Sequence, residues 1–486
     1  MIATARAPRP LSSLPPRLLP GAALVVASLA AVAATLVLQQ YALAVMAAVL
    51  GGALTLWRPR VGLYLAVLLA VALEPITIDP VMTVGWIAQS DVSSWSPLSF
   101  LVFTPVEALV ALTALAVLGR AVLDRRAPPR AQLLGPLLVF LALLVLSVLW
   151  GVGRGGGSAN KALWEMRNLV VGVTIALLIP AVLETRAQTE RFLSVMAVAV
   201  VVLSVEIIVR RFTVLPGAAA DTTDLAFGHE TPVFMNFTVV LLLARLIWPA
   251  RPRQRLWVLM VPIILWAEML TGRRAGWVGL DVALILLAVF MFRLRRAHFY
   301  LLVLPLALIY CGYLVTFWNA QGALAEPARA VRSISDPEGR DLSSNLYRQT
   351  ETGDVRQNIH AHPLTGLGFG QPYVFYIPLP DLSWWPFWHY VPHNAMLWLW
   401  LKTGPAGFVA FLTLIGVGIA RGVQLLKQRS RSESAPFIAA LVSGLLMVPI
   451  YSYVDIGLTS VRLCAFLGLA LGVIGVWGRK SAEESA

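Results

Sequence analysis

The chain has 486 residues, 58% hydrophobic and 13% charged, with a mean hydropathy of +0.76, which excludes a soluble globular protein and reads as a polytopic membrane protein. Its net charge of +13 does not mark a nucleic-acid binder, because the basic residues sit in short connectors between apolar runs, where they report topology. Cys311 and Cys464 both fall in predicted spans, so no disulfide or cysteine metal cluster holds the polar part together.

At about 20 apolar residues per span, roughly fourteen helices are expected, within an all-α architecture of about 12–14 transmembrane helices. The first five runs are 21–38, 41–57, 61–75, 98–119 and 132–150. Arg6, Arg9 and Arg17 precede the first, but that run is long enough to span and a second follows after only Gln39 and Gln40. It reads as a retained helix and not as a removed export signal. Runs at 165–183, 192–209, 231–248, 255–271, 275–292 and 298–318 follow, and 405–425, 436–451 and 458–477 finish the chain. Three parts result: an N-terminal bundle over 1–318, one large polar loop over 319–402, and C-terminal helices over 403–486.

With the N-terminus in the cytoplasm, the connectors 57–60, 120–130, 184–191, 249–255, 293–296, 421–431 and 479–480 fall inside, and nearly all are rich in arginine or lysine, as the positive-inside bias requires. The acidic, tryptophan-bearing stretch 74–97 and the large polar segment fall outside. Several basic residues then lie on the disfavoured face: Arg154, Lys161, Arg167, Arg210, Arg211, Arg273 and Arg274, with Arg329, Arg332, Arg340, Arg348 and Arg356 inside the segment. Singly, each is accounted for as a headgroup-level charge. As a set on one face they point to an anionic ligand, since the guanidinium fork binds phosphate oxygens in two-point fashion. The connector Leu270-Thr271-Gly272-Arg273-Arg274-Ala275-Gly276-Trp277 pins two of them between apolar helices.

His393, in Pro392-His393-Asn394, is the candidate for proton chemistry. A helix begins there, and its positive dipole end favours the neutral ring that accepts a proton, while a bound diphosphate acts in the opposite sense. His360, His362 and His389 show no metal-ligand pattern with it. Trp384-Trp385-Pro386-Phe387-Trp388-His389-Tyr390 reads as an interfacial belt, or as a stacking surface for sugar rings. The turn His362-Pro363-Leu364-Thr365-Gly366-Leu367-Gly368-Phe369-Gly370 permits a tightly bent backbone beside a ligand, yet follows no strand, which argues against a nucleotide-binding loop. Glu107, Glu206, Glu268 and Asp281 lie in or near spans, as transport residues or as structural partners of arginines.

The combination of Thr271-Gly272-Arg273-Arg274-Ala275-Gly276, Arg348, Pro363-Leu364-Thr365-Gly366-Leu367-Gly368 and His393-Asn394 resembles the O-antigen ligase and polymerase superfamily, over about the last half of the chain. That resemblance implies a GT-C-like, metal-independent, inverting glycosyltransferase of a bacterial inner membrane, with its catalytic segment in the periplasm and no cofactor. It implies as donor a glycan on undecaprenyl diphosphate, and as acceptor a hydroxyl of lipid A-core or another glycan. By motif, Arg274 and Arg348 match diphosphate-binding arginines and His393 matches an essential histidine. Arg273 stands where the family commonly has serine, and with Arg356 and Arg211 it completes the expected donor-binding set. Trp384, Trp388, Tyr390 and Asn394 are the expected acceptor or sugar contacts. A polymerase with the same donor chemistry and a lipid-linked glycan flippase are the alternatives.

Overall fold

The computed structural model describes residues 42–72, 104–125, 129, 131–213, 228–250, 252–383, 385 and 387–485. The expected span 21–38, the outer stretch 74–97 and Trp384 lie outside them. The described residues are all-α: 81% helical, with no strand among them. Among the described residues, nine helices are long and apolar enough to cross a membrane, and four shorter apolar helices accompany them.

The helices follow the hydrophobic runs. They are α1 (Ala42–Trp57), α2 (Pro59–Ala72), α3 (Pro105–Leu123), α4 (Leu134–Gly153), α5 (Ala159–Val182), α6 (Arg186–Thr213), α7 (Thr231–Ile247), α8 (Val261–Thr271), α9 (Arg274–Leu294) and α10 (Leu304–Phe317). After a polar interval come α13 (Ala395–Gln428), α14 (Ala435–Val454) and α15 (Val461–Ser485). α15 is the central strut: Leu463, Leu469, Ala470, Val473 and Ile474 have no exposed surface. It lies against α5 so closely that a Cβ on Gly468 would overlap the Gly172 carbonyl; small residues permit this approach where no hydrophobic effect drives helices together in lipid. The outer helices present aliphatic side chains outward, as at Leu146 and Leu149 of α4, Ile285 of α9 and Leu308 of α10. In lipid that exposure costs nothing.

The polar interval, expected as a loop, carries two helices ahead of a long coil. α11 (Glu326–Ser335) and α12 (Gly339–Ala361) occupy it. α12 has little apolar surface, but Asp341, Ser344, Arg348, Glu351, Val355 and Asn358 recur at steps of three and four, which places them on one face of a helix. A network of hydrogen bonds ties the coil that follows to this helix. Asp354 accepts from the backbone N–H groups of Tyr376 and Ile377 at 3.1 and 3.0 Å, and Asn358 accepts from that of Val374 at 3.0 Å.

The acidic residues considered for transport have structural settings. Glu107 closes a capping box with Thr104 at the start of α3 and pairs with Arg167 at 3.2 Å. Glu206 pairs with Arg210 one turn on, at 2.7 Å, and Asp281 accepts from the Tyr310 hydroxyl at 3.4 Å. Glu268 is fully buried with the Asn236 side chain beside it.

Candidate functional site

Six chain segments meet at one end of the bundle: the residues before α7, the α8–α9 turn, α11, α12, the start of α13 and the α14–α15 connector. The opposite end is tied separately, where Arg295 beyond α9 donates to the Ser430 carbonyl at 2.9 Å.

The α8–α9 turn is built by Gly272, which caps α8 in the left-handed region at φ 65°, a conformation nearly free only for glycine. Thr271 then turns its hydroxyl back to the Glu268 carbonyl at 2.8 Å and accepts from the Arg273 N–H at 3.3 Å. Two consecutive arginines are thereby held at the entrance of α9. They line a small cavity together with Arg329 of α11 and Arg348 of α12, and with Asp341, Ser344 and Asp455.

Four guanidinium groups thus face two carboxylates. Asp341 takes up Arg274 at 3.3 Å and Arg329 at 3.8 Å, and Arg329 also pairs with Glu326 at 2.6 Å. Burial pushes the Glu326 carboxyl up, and Arg329 pulls it back. Asp455 is the second carboxylate. Burial alone would raise its pKa, but His229, Arg348 and Arg273 hold it far below the usual carboxylate range.

Asp455 bonds to His229 Nδ1 at 2.7 Å, and the Arg273 Nη1 stands 3.2 Å from that nitrogen and 3.5 Å from Nε2. The Tyr451 hydroxyl donates to the His229 carbonyl. Next in sequence, Glu230 and Thr231 are clamped by the fully buried Arg462, at 3.3 and 2.9 Å. The backbone carrying His229 is therefore fixed from α14 and α15. No sequence reading had singled out His229, Asp455 or Arg462. His229 and Asp455 are separated by 226 positions, and no local periodicity joins them.

His393 reaches the same end of the bundle. Two residues on, the Ala395 N–H donates to the Asp455 carbonyl at 3.3 Å. Its partner is Glu351 of α12, which accepts from the His393 backbone N–H at 2.8 Å and lies 3.1 Å from Nδ1. No carboxylate partner for His393 was expected from the sequence, and Glu351 supplies one. Tyr347 and Tyr373 donate to the same carboxylate at 3.3 and 3.4 Å. Burial first, and then the Glu351 charge, push both phenols up, so both remain O–H donors. With Nδ1–H given to Glu351, the ring presents Nε2 as the proton acceptor.

The cavity therefore gathers Arg273, Arg274 and Arg348 from the sequence-predicted set, with His393 beside it. Arg356 does not line it: eight residues beyond Arg348, it is turned roughly 80° around α12 and is exposed. Arg211, near the end of α6, does not line it either. Asn394 spends its side-chain oxygen on the Leu397 N–H as the cap of α13, at 3.0 Å. The aromatic segment docks on α5, where Phe387 stacks on Trp164 at 3.5 Å and Lys161 lies 4.0 Å from the Phe387 ring centre. Tyr390 lies 5.4 Å from Lys402, and Trp388 packs edge-on against Phe375.

The glycine turn after α12 does not border the arginines. Leu367 and Gly368 donate to the carbonyls of Leu401 and Lys402 at 2.7 and 3.1 Å, and Gly370 donates to Glu165 at 2.7 Å. A Cβ at Gly366 would stand 2.6 Å from the Leu401 carbonyl oxygen. The glycines admit neighbouring helix backbones, and the tight turn is a structural latch. Among the described residues no group of three or more His, Cys, Asp or Glu side chains is placed to hold a metal ion.

Residues 258–412 match the O-antigen ligase family model. The chain thus resembles the O-antigen ligase and polymerase superfamily over about a third of its length, and the match supports a membrane glycosyltransferase of that general type. The ligase-like segment contains all four cavity arginines, Asp341, Glu351 and His393; His229 and Asp455 lie outside it. No curated protein matches the chain.

Proposed function

We propose that the protein transfers a glycan from undecaprenyl diphosphate to an acceptor hydroxyl at the periplasmic face of a bacterial inner membrane, and that the acceptor is lipid A-core or a related glycan. The observation that carries this reading is the meeting of Arg273, Arg274, Arg329 and Arg348 in one cavity at one end of a membrane bundle, within a ligase-like segment. A diphosphate diester is an anion, and the four guanidinium groups outnumber the carboxylates that pair with them, Asp341, Asp455 and Glu326, which leaves the cavity positive. Fixed cations aimed at a leaving group stabilise the charge it gains and do so without reorganising.

His393 removes the acceptor proton through Nε2 while Glu351 holds the ring. The acceptor oxygen attacks the anomeric carbon from the face opposite the diphosphate, and the product is inverted. Aromatic surface at Trp388 and Tyr390 supports the sugar-bearing acceptor; Trp384, expected to join it, lies outside the described residues. Glu351→Gln keeps the shape but loses the charge that orients the ring. Its expected effect is a fall in kcat of about a hundredfold, in line with the usual worth of general-base catalysis, with KM for donor little changed. An unchanged kcat would remove Glu351 from the mechanism.

The test of the function supplies purified protein with a lipid-linked single repeat, first alone and then with candidate acceptors. Transfer only with an acceptor is expected. Longer lipid-linked chains formed without one would make polymerase the better name. Reporter fusions after Arg348 and after Lys427 test the orientation: the first belongs outside and the second inside, and the reverse result would overturn the periplasmic placement.

A further inference from the structure

We propose that His229, held by Asp455, is a second proton-handling group on the leaving-group side, which gains a proton when undecaprenyl diphosphate forms in the arginine cavity and loses it when that product departs. The inference rests on the donor reading above and extends it to a residue outside the ligase-like segment.

In the transfer step a bond forms between the acceptor oxygen and the anomeric carbon, and the bond from that carbon to the diphosphate oxygen breaks. The bonding pair leaves with the diphosphate, which passes from diester to monoester and gains one negative charge. The hydroxyl proton goes to His393. His229 takes up one proton from the surrounding water in answer to the new charge, and His393 returns to the water the one it took, so protons balance and no further reactant is needed.

The geometry suits that role. Asp455 occupies Nδ1, which leaves Nε2 as the site that gains or loses the proton. The His229 side chain keeps 31% of its surface while Asp455 keeps 2%, so the imidazole is the part of the pair that can exchange a proton with water. Asp455 and Arg273, which both contact the ring, also line the cavity.

Every charged group facing His229 bears on its proton. Burial is the largest cause lowering its pKa; Asp455 acts against it, and Arg273 and then His393 add to the lowering. Arg348 acts on Asp455, Glu230 is held by Arg462, and Tyr451 meets only the main-chain carbonyl. The empty cavity thus favours the neutral ring. A diphosphate that neutralises Arg273 removes the larger of the two opposing charges and leaves Asp455 to favour the cation. Since binding raises the pKa of the group, affinity for the product increases as pH falls through the bound-state value and levels off below the free-state value.

The experiment measures binding of undecaprenyl diphosphate to the full-length protein in nanodiscs from about pH 5 to about pH 8, the range in which histidine titrates. Wild type, His229→Gln and His393→Gln are compared, and the differences between them cancel the ligand's own titration. Relative to His229→Gln, wild type and His393→Gln are expected to gain affinity with falling pH at a slope approaching about tenfold per pH unit, the limit for one linked proton. The same slope in His229→Gln as in wild type would overturn the inference while leaving the donor reading intact. Loss of the slope in His393→Gln alone would overturn it by assigning the proton to His393. Absence of binding in all three proteins at every pH would overturn the donor reading and this inference with it.

Discussion

Arg348→Ala lowers glycan transfer by about a hundred- to a thousandfold, the cost of removing one fixed donor from a developing anion, while membrane level and monodisperse purification stay as in wild type. Arg348 is the cleanest of the cavity arginines to remove. Arg274 and Arg329 share Asp341, so deleting either weakens the pairing of a buried carboxylate and mixes a folding defect with the loss of charge. Arg348 stands half-buried on the site-facing stripe of α12 and acts on Asp455 through space. Arg348→Lys keeps the charge but not the planar fork, and should recover only part of the activity. Arg356→Ala serves as the control, since that side chain points away from the cavity. Near-wild-type transfer by Arg348→Ala would remove the arginine cavity from the reaction.

The largest expected loss of stability comes from Lys402→Met alone. Lys402 and Glu165 pair at 2.9 Å, both without exposed surface. The ammonium also donates to the Gln371 carbonyl, at 2.5 Å, and the carboxylate accepts from Trp398 at 3.2 Å and from Gly370. Breaking such a pair leaves one buried charge uncompensated and costs about 3–5 kcal/mol. Replacing both ends, as in Glu165→Leu with Lys402→Met, should restore a good part of that loss, because an apolar pair carries no desolvation penalty. Thermal unfolding of the purified variants in one detergent measures the difference. A single variant within about 1 kcal/mol of wild type, the usual range of an exposed pair, would show that the latch is not held by this charge pair.

The bundle was legible because lipid imposes a single rule: backbone polar groups must be satisfied within the span, so each long apolar run becomes a helix. Runs such as 132–150 and 436–451 gave the helices Leu134–Gly153 and Ala435–Val454 almost residue for residue. The arginine pair at 273–274 was conspicuous because it interrupts apolar sequence. The partners of the site were not, since nothing local marks them. His229 stands alone before an apolar run, and Asp455 is a single acid after one. Glu351 did carry a signal: it lies at helical spacing from Arg348 on a polar helix whose other inward positions, Val355 apart, are also polar. Reading the segment as a loop concealed that spacing. The glycine turn misled for a related reason, because a left-handed backbone beside a ligand and one beside another helix need the same residues.

One structural feature also constrains the order in which the protein can become functional as it is made. Cavity arginines and His393 lie in the ligase-like segment, but the carboxylate that holds His229 arrives only at Asp455, after α14. The Arg462 clamp beside His229 comes later still, at the start of α15. A nascent chain that has inserted everything through residue 412 therefore has its guanidinium groups but neither the second histidine–carboxylate pair nor the strut that fixes it. The segment is not a portable cassette: grafted into another bundle, it would bring charge without its counterpart, and in its own chain the site closes only once α14 and the start of α15 are in place.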